Sequence, residues 1–152
     1  MFGALLKTIL VATLLASSAT EGLTCSCAHR STREKFRQAE LVFVGSVTDV
    51  RPSTSADPMF IYAVTLSVEK QWKGPTISKI EVLWAFDNPH MCGDLPIVKG
   101  ERYLIYADRA QGNYVVYPDC SPSGFAKDRE EEITKLNSRW FRLKAQLFPF
   151  PK

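Results

Sequence analysis

The chain has 152 residues, of which 45% are hydrophobic and 23% charged, and its formal net charge is +3. This length suits one globular domain, and the high apolar fraction with balanced charge excludes a disordered chain. The basic residues are spread thinly along the sequence, so they indicate neither a nucleic-acid-binding protein nor a protein of anionic membrane surfaces.

The first 24 residues have the layout of a secretory signal peptide. Lys7 precedes a short, leucine-rich run at residues 9–16, and small residues follow it. The run is shorter than the about 20 apolar residues needed to cross a bilayer, and a buried N-terminal helix is the alternative interpretation. We therefore expect a secreted, extracellular protein, with the signal peptide cleaved after Thr24 or after Ala19.

The sequence after the leader predicts a short helix followed by five strands. Ser31 and Glu34 have capping-box spacing, which opens a helix that runs to about Ala39. Runs of β-branched and aromatic residues predict strands at residues 41–50, 60–69, 80–84, 102–107 and 114–117. In the second strand, one alternating set comprises Phe60, Tyr62, Val64, Leu66 and Val68. Gly45 inside the first strand predicts a bulge or a tight bend.

Near residue 126 the apolar period changes from that of a strand to that of a helix. Apolar residues recur at spacings of three and four to about residue 146, namely Ile133, Leu136, Trp140, Leu143 and Leu147. Five strands between a short N-terminal and a longer C-terminal helix predict a mainly β fold in which the strands form a small closed or nearly closed barrel. We expect one domain over residues 25–147 and a tail at 148–152.

The chain contains four cysteines, and a secreted protein is expected to use them in disulfide bonds. Cys25 and Cys27 lie two positions apart, so a bond between them would close a strained loop. Each is expected to pair with Cys92 or Cys120, and counting does not decide between the arrangements. A metal site at the Cys-Ser-Cys segment is the alternative, but its only further ligands would be two histidines without paired spacing.

The sequence contains no motif that predicts catalysis. It has no glycine-rich phosphate loop, no His-Glu-x-x-His pair and no Gly-x-Ser-x-Gly elbow. Its cysteines are expected to be oxidised and therefore not nucleophilic. We expect that the protein is not an enzyme and has no cofactor of its own.

The Cys-Ser-Cys segment at residues 25–27 and the landmarks after it resemble a known family. Phe36 follows nine residues after the second cysteine, and the apolar Leu-Val-Phe-Val of residues 41–44 leads into Gly45. A second strand closes with Lys-Gly at residue 74, and Cys92-Gly, the Tyr-Leu-Ile-Tyr of residues 103–106 and Cys120-Ser follow in order. In these features the chain is similar to the inhibitory N-terminal domain of the tissue inhibitors of metalloproteinases, within the netrin-like superfamily.

The resemblance implies a fold and a disulfide pairing. The fold is a five-stranded Greek-key barrel similar to the oligonucleotide/oligosaccharide-binding (OB) fold, with flanking α-helices. The implied disulfides are Cys25–Cys92 and Cys27–Cys120. The chain departs from the family at Arg37, where a third cysteine is usual, and we expect it to lack the family's cysteine-rich C-terminal domain.

The resemblance also implies a mechanism at the N-terminus. In the family, the α-amine and carbonyl oxygen of the first cysteine, here Cys25, chelate the catalytic zinc of the target protease and displace its water. Ser26 would enter the specificity pocket. The remaining contact residues would be Cys27, Ala28 and His29 along the cleft, with His90 and Met91 as a second segment.

The resemblance therefore predicts a secreted inhibitor of zinc metalloendopeptidases of the matrix metalloproteinase type. We expect a monomer, with the extracellular matrix as a candidate partner and neither nucleic acid nor a membrane. Chelation requires cleavage directly before Cys25, because cleavage after Ala19 would convert the amine into an amide. The alternative function is a non-inhibitory, extracellular netrin-like binding or structural module.

Overall fold

The computed structural model describes residues 30–85, 95–117, 122–139 and 141, and in these ranges the chain is mainly β. Two α-helices and six strands are present, together with a 3-10 helix at Ala126–Arg129. The elements are α1 (Thr32–Gln38), β1 (Leu41–Pro52), β2 (Phe60–Lys73), β3 (Lys79–Ala85), β4 (Arg102–Ala110), β5 (Asn113–Val116), β6 (Gly124–Phe125) and α2 (Glu130–Asn137). The predicted mainly β fold with five principal strands and two helices is confirmed.

The five long strands form a closed ring. The order is β1-β2-β3-β5-β4, and β4 pairs again with β1. Every neighbouring pair in the ring is antiparallel except β3 and β5, which are parallel. Closure gives residues 41–46 of β1 a partner on both sides, so this half of the strand presents no free edge to solvent. The two-residue β6 was not predicted, and it pairs with the first half of β4.

The inside of the ring is the main hydrophobic core. Its buried members are Leu41, Phe43, Val47, Val64, Leu66, Ile80, Val82, Trp84, Leu95, Tyr103, Ile105, Ala107 and Val116. Two rings, those of Trp84 and Phe125, contact the fully buried Tyr103 at centroid distances of 6.1 and 4.8 Å. The Tyr103 hydroxyl donates to the carbonyl oxygen of Pro96 at 2.8 Å, so the core contains no unsatisfied phenol.

Gly45 lies at a bulge, as predicted. The register of β1 against β2 shifts between Val44 and Gly45, and a Cβ on Gly45 would collide with the carbonyl oxygen of Ser67. Because that oxygen belongs to the neighbouring strand, it cannot rotate away as a side chain would. A glycine is therefore required at this position, where β1 pairs closely with β2.

We expect Gly45→Ala to lower the free energy of unfolding by about 3 kcal/mol, because the new methyl group overpacks the strand pair. The matched control is Gly112→Ala in the β4–β5 turn, where φ is +84° and the space around the Cβ is open. That change costs only the strain of a left-handed alanine, about 1 kcal/mol. Urea unfolding of both variants measures the difference, and equal losses would contradict the overpacking argument.

Tyr62 of the alternating set is 41% exposed, at a point where the β2–β3 register shifts between Phe60 and Tyr62. One detail of the predicted elements was wrong. The C-terminal helix is not continuous from 126 to 146. It begins as the 3-10 helix and α2 ends at Asn137, where Ser138 adopts extended backbone. In the described part of the chain, no helix is long and apolar enough to cross a membrane.

Candidate functional site

The residues predicted to contact a protease lie outside the ranges that the structure describes. They are Cys25, Ser26, Cys27, Ala28, His29, His90 and Met91, and the remaining cysteines, Cys92 and Cys120, lie outside them as well. The structure does describe the residues at which the chain enters and leaves these segments. Arg30 follows the first, Ala85 precedes the second, and Tyr117 precedes the segment that contains Cys120.

The strands that lead into the two later segments end side by side. Trp84 near the end of β3 pairs with Val116 at the end of β5, and the two strands are parallel. Paired strands are about 4.8 Å apart, so residues 86–94 and residues 118–121 start from adjacent positions at the same end of the ring. The rings of Phe60 and Tyr117 pack at 5.8 Å at this end. The parallel pairing thus brings together the starting points of the Cys92 and Cys120 segments.

Helix α1 begins directly after the N-terminal segment, and a capping box fixes its start. The Ser31 hydroxyl accepts a hydrogen bond from the Glu34 N–H at 3.3 Å, and the Glu34 carboxylate accepts from the Ser31 N–H at 2.8 Å. These bonds to Ser31 lower the pKa of Glu34. The predicted capping box is therefore confirmed, and the backbone at Ser31 is held three residues after the position of Ala28.

The C-terminal end of α1 is held by Lys73, the last residue of β2. Its ammonium donates to the carbonyl oxygens of Phe36 and Arg37, each at 3.0 Å, and to that of Ala39. These are carbonyls that a helix end leaves without partners in its own backbone. Desolvation by this environment lowers the pKa of Lys73. In the sequence, the Lys-Gly at the close of β2 is only a landmark of the family resemblance, and the role of Lys73 at the helix end was not predicted.

A buried ionic cluster ties α1 to α2 and to β4. The Lys35 ammonium contacts both carboxylate oxygens of Glu132 at 3.1 Å, and the Tyr106 hydroxyl donates to the same carboxylate at 2.8 Å. The side chains of Lys35 and Glu132 are only 17% and 9% exposed. Desolvation, and then the negative charge of Glu132, raise the pKa of Tyr106 far above its usual range. The cluster fixes α1 laterally on the ring.

Charged side chains from outside β4 act on Asp108, a residue of that strand. Desolvation raises the pKa of Asp108, and the nearby Glu40 raises it further, whereas Arg30 and Lys73 lower it. The Arg30 guanidinium also donates to the Gln38 side chain at 2.7 Å, and the Glu40 N–H donates to the carbonyl oxygen of Ala107. Arg30 is thus bonded to the last residue of α1, and its charge acts on Asp108.

A shallow cleft of about 400 Å³ lies at the β2–β3 hairpin, at the other end of the ring from Ala85. The Gln71 side chain bridges its turn by donating to the carbonyl oxygens of Lys73 and Pro75 and accepting from the Ile77 N–H. This arrangement stabilises a turn and presents no reactive group. Among the described residues, no cluster of three or more His, Cys, Asp or Glu side chains could hold a metal ion.

No family model and no curated protein matches the chain. A function is therefore supported by the sequence motifs and by the geometry of the residues around them. That geometry consists of a capped α1 with Arg30 bonded to its Gln38, and of the neighbouring ends of β3 and β5.

Proposed function

We propose that this protein is a secreted inhibitor of zinc metalloendopeptidases that binds the catalytic zinc of its target through Cys25. The observation that carries the proposal is the Cys25-Ser26-Cys27 motif, with Cys92 and Cys120 at family-like separations. The described strands next to these segments support the proposal, since the segments with Cys92 and Cys120 follow the paired strands β3 and β5. Two disulfides from Cys25 and Cys27 to such neighbouring segments would hold the N-terminus at one end of the ring.

We further propose that the ring is an OB-type Greek-key barrel. The strand order β1-β2-β3-β5-β4-β1 supports this, because β4 lies between β5 and β1 and the chain must cross over to place it there. The parallel β3–β5 pair is the consequence of that crossover. Fixed helices and a closed ring make a rigid base for a binding segment, which lowers the ordering cost of association.

The chemistry follows from what a catalytic zinc requires. Such a zinc has three protein ligands and an open position for water, so the amine nitrogen and carbonyl oxygen of Cys25 displace the nucleophile when they occupy that position. Only an unprotonated amine can coordinate the metal. Because an α-amino group has a pKa of about 7.7–8.0, a growing fraction of the inhibitor is protonated and inactive as the pH falls below that value.

To test the proposal, the protein is purified from a eukaryotic host that secretes it, and its N-terminal residue is determined. Its inhibition of a matrix-metalloproteinase-type enzyme is then measured. We expect a Cys25 N-terminus and tight inhibition that weakens about tenfold for each pH unit below about 7.5, after correction for the protease's own profile. The correction is the pH dependence of inhibition of the same enzyme by a small hydroxamate, which binds the zinc without an α-amine. A Thr20 N-terminus with no inhibition would contradict the proposal and would favour the non-inhibitory netrin-like module.

A further inference from the structure

Helix α1 contains no buried residue. All seven of its residues, Thr32–Gln38, are exposed or partly exposed, whereas Val42 and Leu104 on the strands beneath it are 0% exposed. The first buried residue after the helix is Ala39. Removal of apolar surface from water is the dominant favourable contribution to folding, so α1 gains little from it. The docking of α1 on the ring therefore depends on individual side-chain contacts.

One of these contacts joins α1 to α2 through a single carboxylate. Glu132 accepts from the Lys35 ammonium with both oxygens at 3.1 Å, and from the Tyr106 hydroxyl at 2.8 Å. The Arg129 guanidinium approaches the same carboxylate at 4.0 Å. Tyr106 belongs to β4 and Arg129 to the 3-10 helix before α2, so Lys35 is the partner that α1 contributes among the described residues.

Further contacts hold the C-terminal half of α1. The ring of Phe36 packs edge-on against that of Phe141 at a centroid distance of 5.2 Å, but Phe36 is only partly buried. The Lys73 ammonium lies 5.6 Å from the centroid of the Phe36 ring while it donates to carbonyl oxygens at the helix end. An isolated helix of this length does not form in water, because its first turn is costly to nucleate. The helical turns of α1 therefore persist only while such contacts hold them.

The strands of the ring are held in a different way. β4 pairs with β1 along residues 102–107, and Leu104 and Ile105 in this stretch are 0% exposed. Separation of the two strands opens the ring and exposes its main core. Elements with few buried apolar contacts open at a lower free energy than core strands do, and they open as cooperative units of their own. By this criterion α1 and β4 belong to different units.

We propose that α1 opens from the ring as a separate unit while the strands stay paired, and that Glu132 is the latch that limits this opening. In the open state α1 loses its helical turns and the Lys35 ammonium is hydrated, while Tyr106 and Arg129 stay beside Glu132. The conformation of α1 thus depends on a residue of α2 that lies 97 positions after Lys35. This inference concerns the fold, and it does not depend on the proposed function.

The separate opening is tested by native-state hydrogen exchange of the unmodified secreted protein at low urea concentrations. The α1 probes are the amides of Lys35 and Ala39, which donate to the carbonyl oxygens of Ser31 and Lys35. The ring probes are the amides of residues 103–105. We expect the α1 amides to exchange at least about a thousandfold faster than the ring amides, with a weaker urea dependence. The same rate and the same urea dependence for both groups would overturn the proposal.

Gly45→Ala distinguishes opening of α1 from opening of the ring. The added methyl group strains the β1–β2 pair whether α1 is docked or open. The ring amides should therefore exchange about a hundredfold faster, because global unfolding becomes easier. The α1 amides should keep their rate, since the docked and open states are destabilised equally. Equal acceleration of both groups would show that α1 opens only when the ring does, and would overturn the proposal.

Glu132→Gln tests the latch, because it keeps an acceptor for Tyr106 and removes the charge that binds Lys35. We expect the α1 amides to exchange about a hundredfold faster, as for loss of one partner from a buried ion pair. Glu131→Gln is the matched control on the exposed side of α2 and should leave the rate unchanged. An unchanged rate in Glu132→Gln would overturn the latch. If this variant does not fold, Lys35→Met removes the same pair from the α1 side and decides in its place.

Discussion

Addition of a single alanine before Cys25 is expected to abolish inhibition. The extra residue converts the α-amine into a peptide amide, which cannot donate a lone pair to zinc, and it places a new group against the metal. We expect the inhibition constant to rise about a thousandfold, which corresponds to roughly 4 kcal/mol of lost binding free energy. The measurement is a titration of one zinc endopeptidase with the extended and the unextended proteins.

The control for this experiment is the fold of the extended protein. Both forms should show the same urea unfolding midpoint and the same disulfide mass map, because the added residue lies beyond Cys25. Ser26→Arg is a second comparison, since it preserves the amine and alters only the side chain at the specificity pocket. If the extended form inhibits as well as the unextended one, zinc chelation by Cys25 is not the mechanism.

The Glu132→Ala change is expected to cause the largest loss of stability among substitutions of charged residues at the helices. It leaves the Lys35 ammonium and the Tyr106 hydroxyl without their shared acceptor in a poorly solvated site. Removal of one partner from a buried ion pair costs about 3–5 kcal/mol. Urea unfolding followed by circular dichroism measures this loss as a lower midpoint.

Glu131→Ala is the matched control for Glu132→Ala. Glu131 precedes it on the same helix and pairs with Lys135, but its side chain is 85% exposed, so its removal should leave the unfolding midpoint nearly unchanged. The triple variant Lys35→Met, Tyr106→Phe, Glu132→Leu removes these three polar groups together. Arg129, whose guanidinium lies 4.0 Å from the Glu132 carboxylate, stays, but its side chain is 34% exposed and reaches solvent. It should lose less stability than Glu132→Ala alone, and a larger loss would contradict the account based on unsatisfied buried groups.

Local pattern was sufficient to predict most of the secondary structure. The capping box at Ser31 and Glu34 and the bulge at Gly45 depend on residues close in sequence. The exposure of Tyr62 depends on a register shift against β3, which the alternation within β2 does not show. The early end of α2 was missed because apolar spacing continues past Ser138 although the backbone there is extended.

The long-range contacts could not be predicted from local pattern. Lys35 and Glu132 are 97 residues apart, and Lys73 reaches carbonyls 34 to 37 residues earlier in the chain. Isolated charged residues of this kind normally lie at the solvated surface, and nothing in their sequence neighbourhood indicates a partner. The candidate site was predicted from the sequence motif at Cys25. The described structure adds only the residues next to the segments that contain the motif and its partner cysteines.

The pairing of β1 with β4 has a consequence for biosynthesis. Leu41 pairs with Ala107, so the ring cannot close until more than 60 further residues have left the ribosome. During that interval residues 41–46 lack their β4 partner, and an unpaired apolar strand edge is a template for aggregation. Non-local pairing of this kind also slows folding, because the loop-closure entropy is lost before the contacts form. The yield of folded chain should therefore depend on chaperone capacity more than on the rate of synthesis.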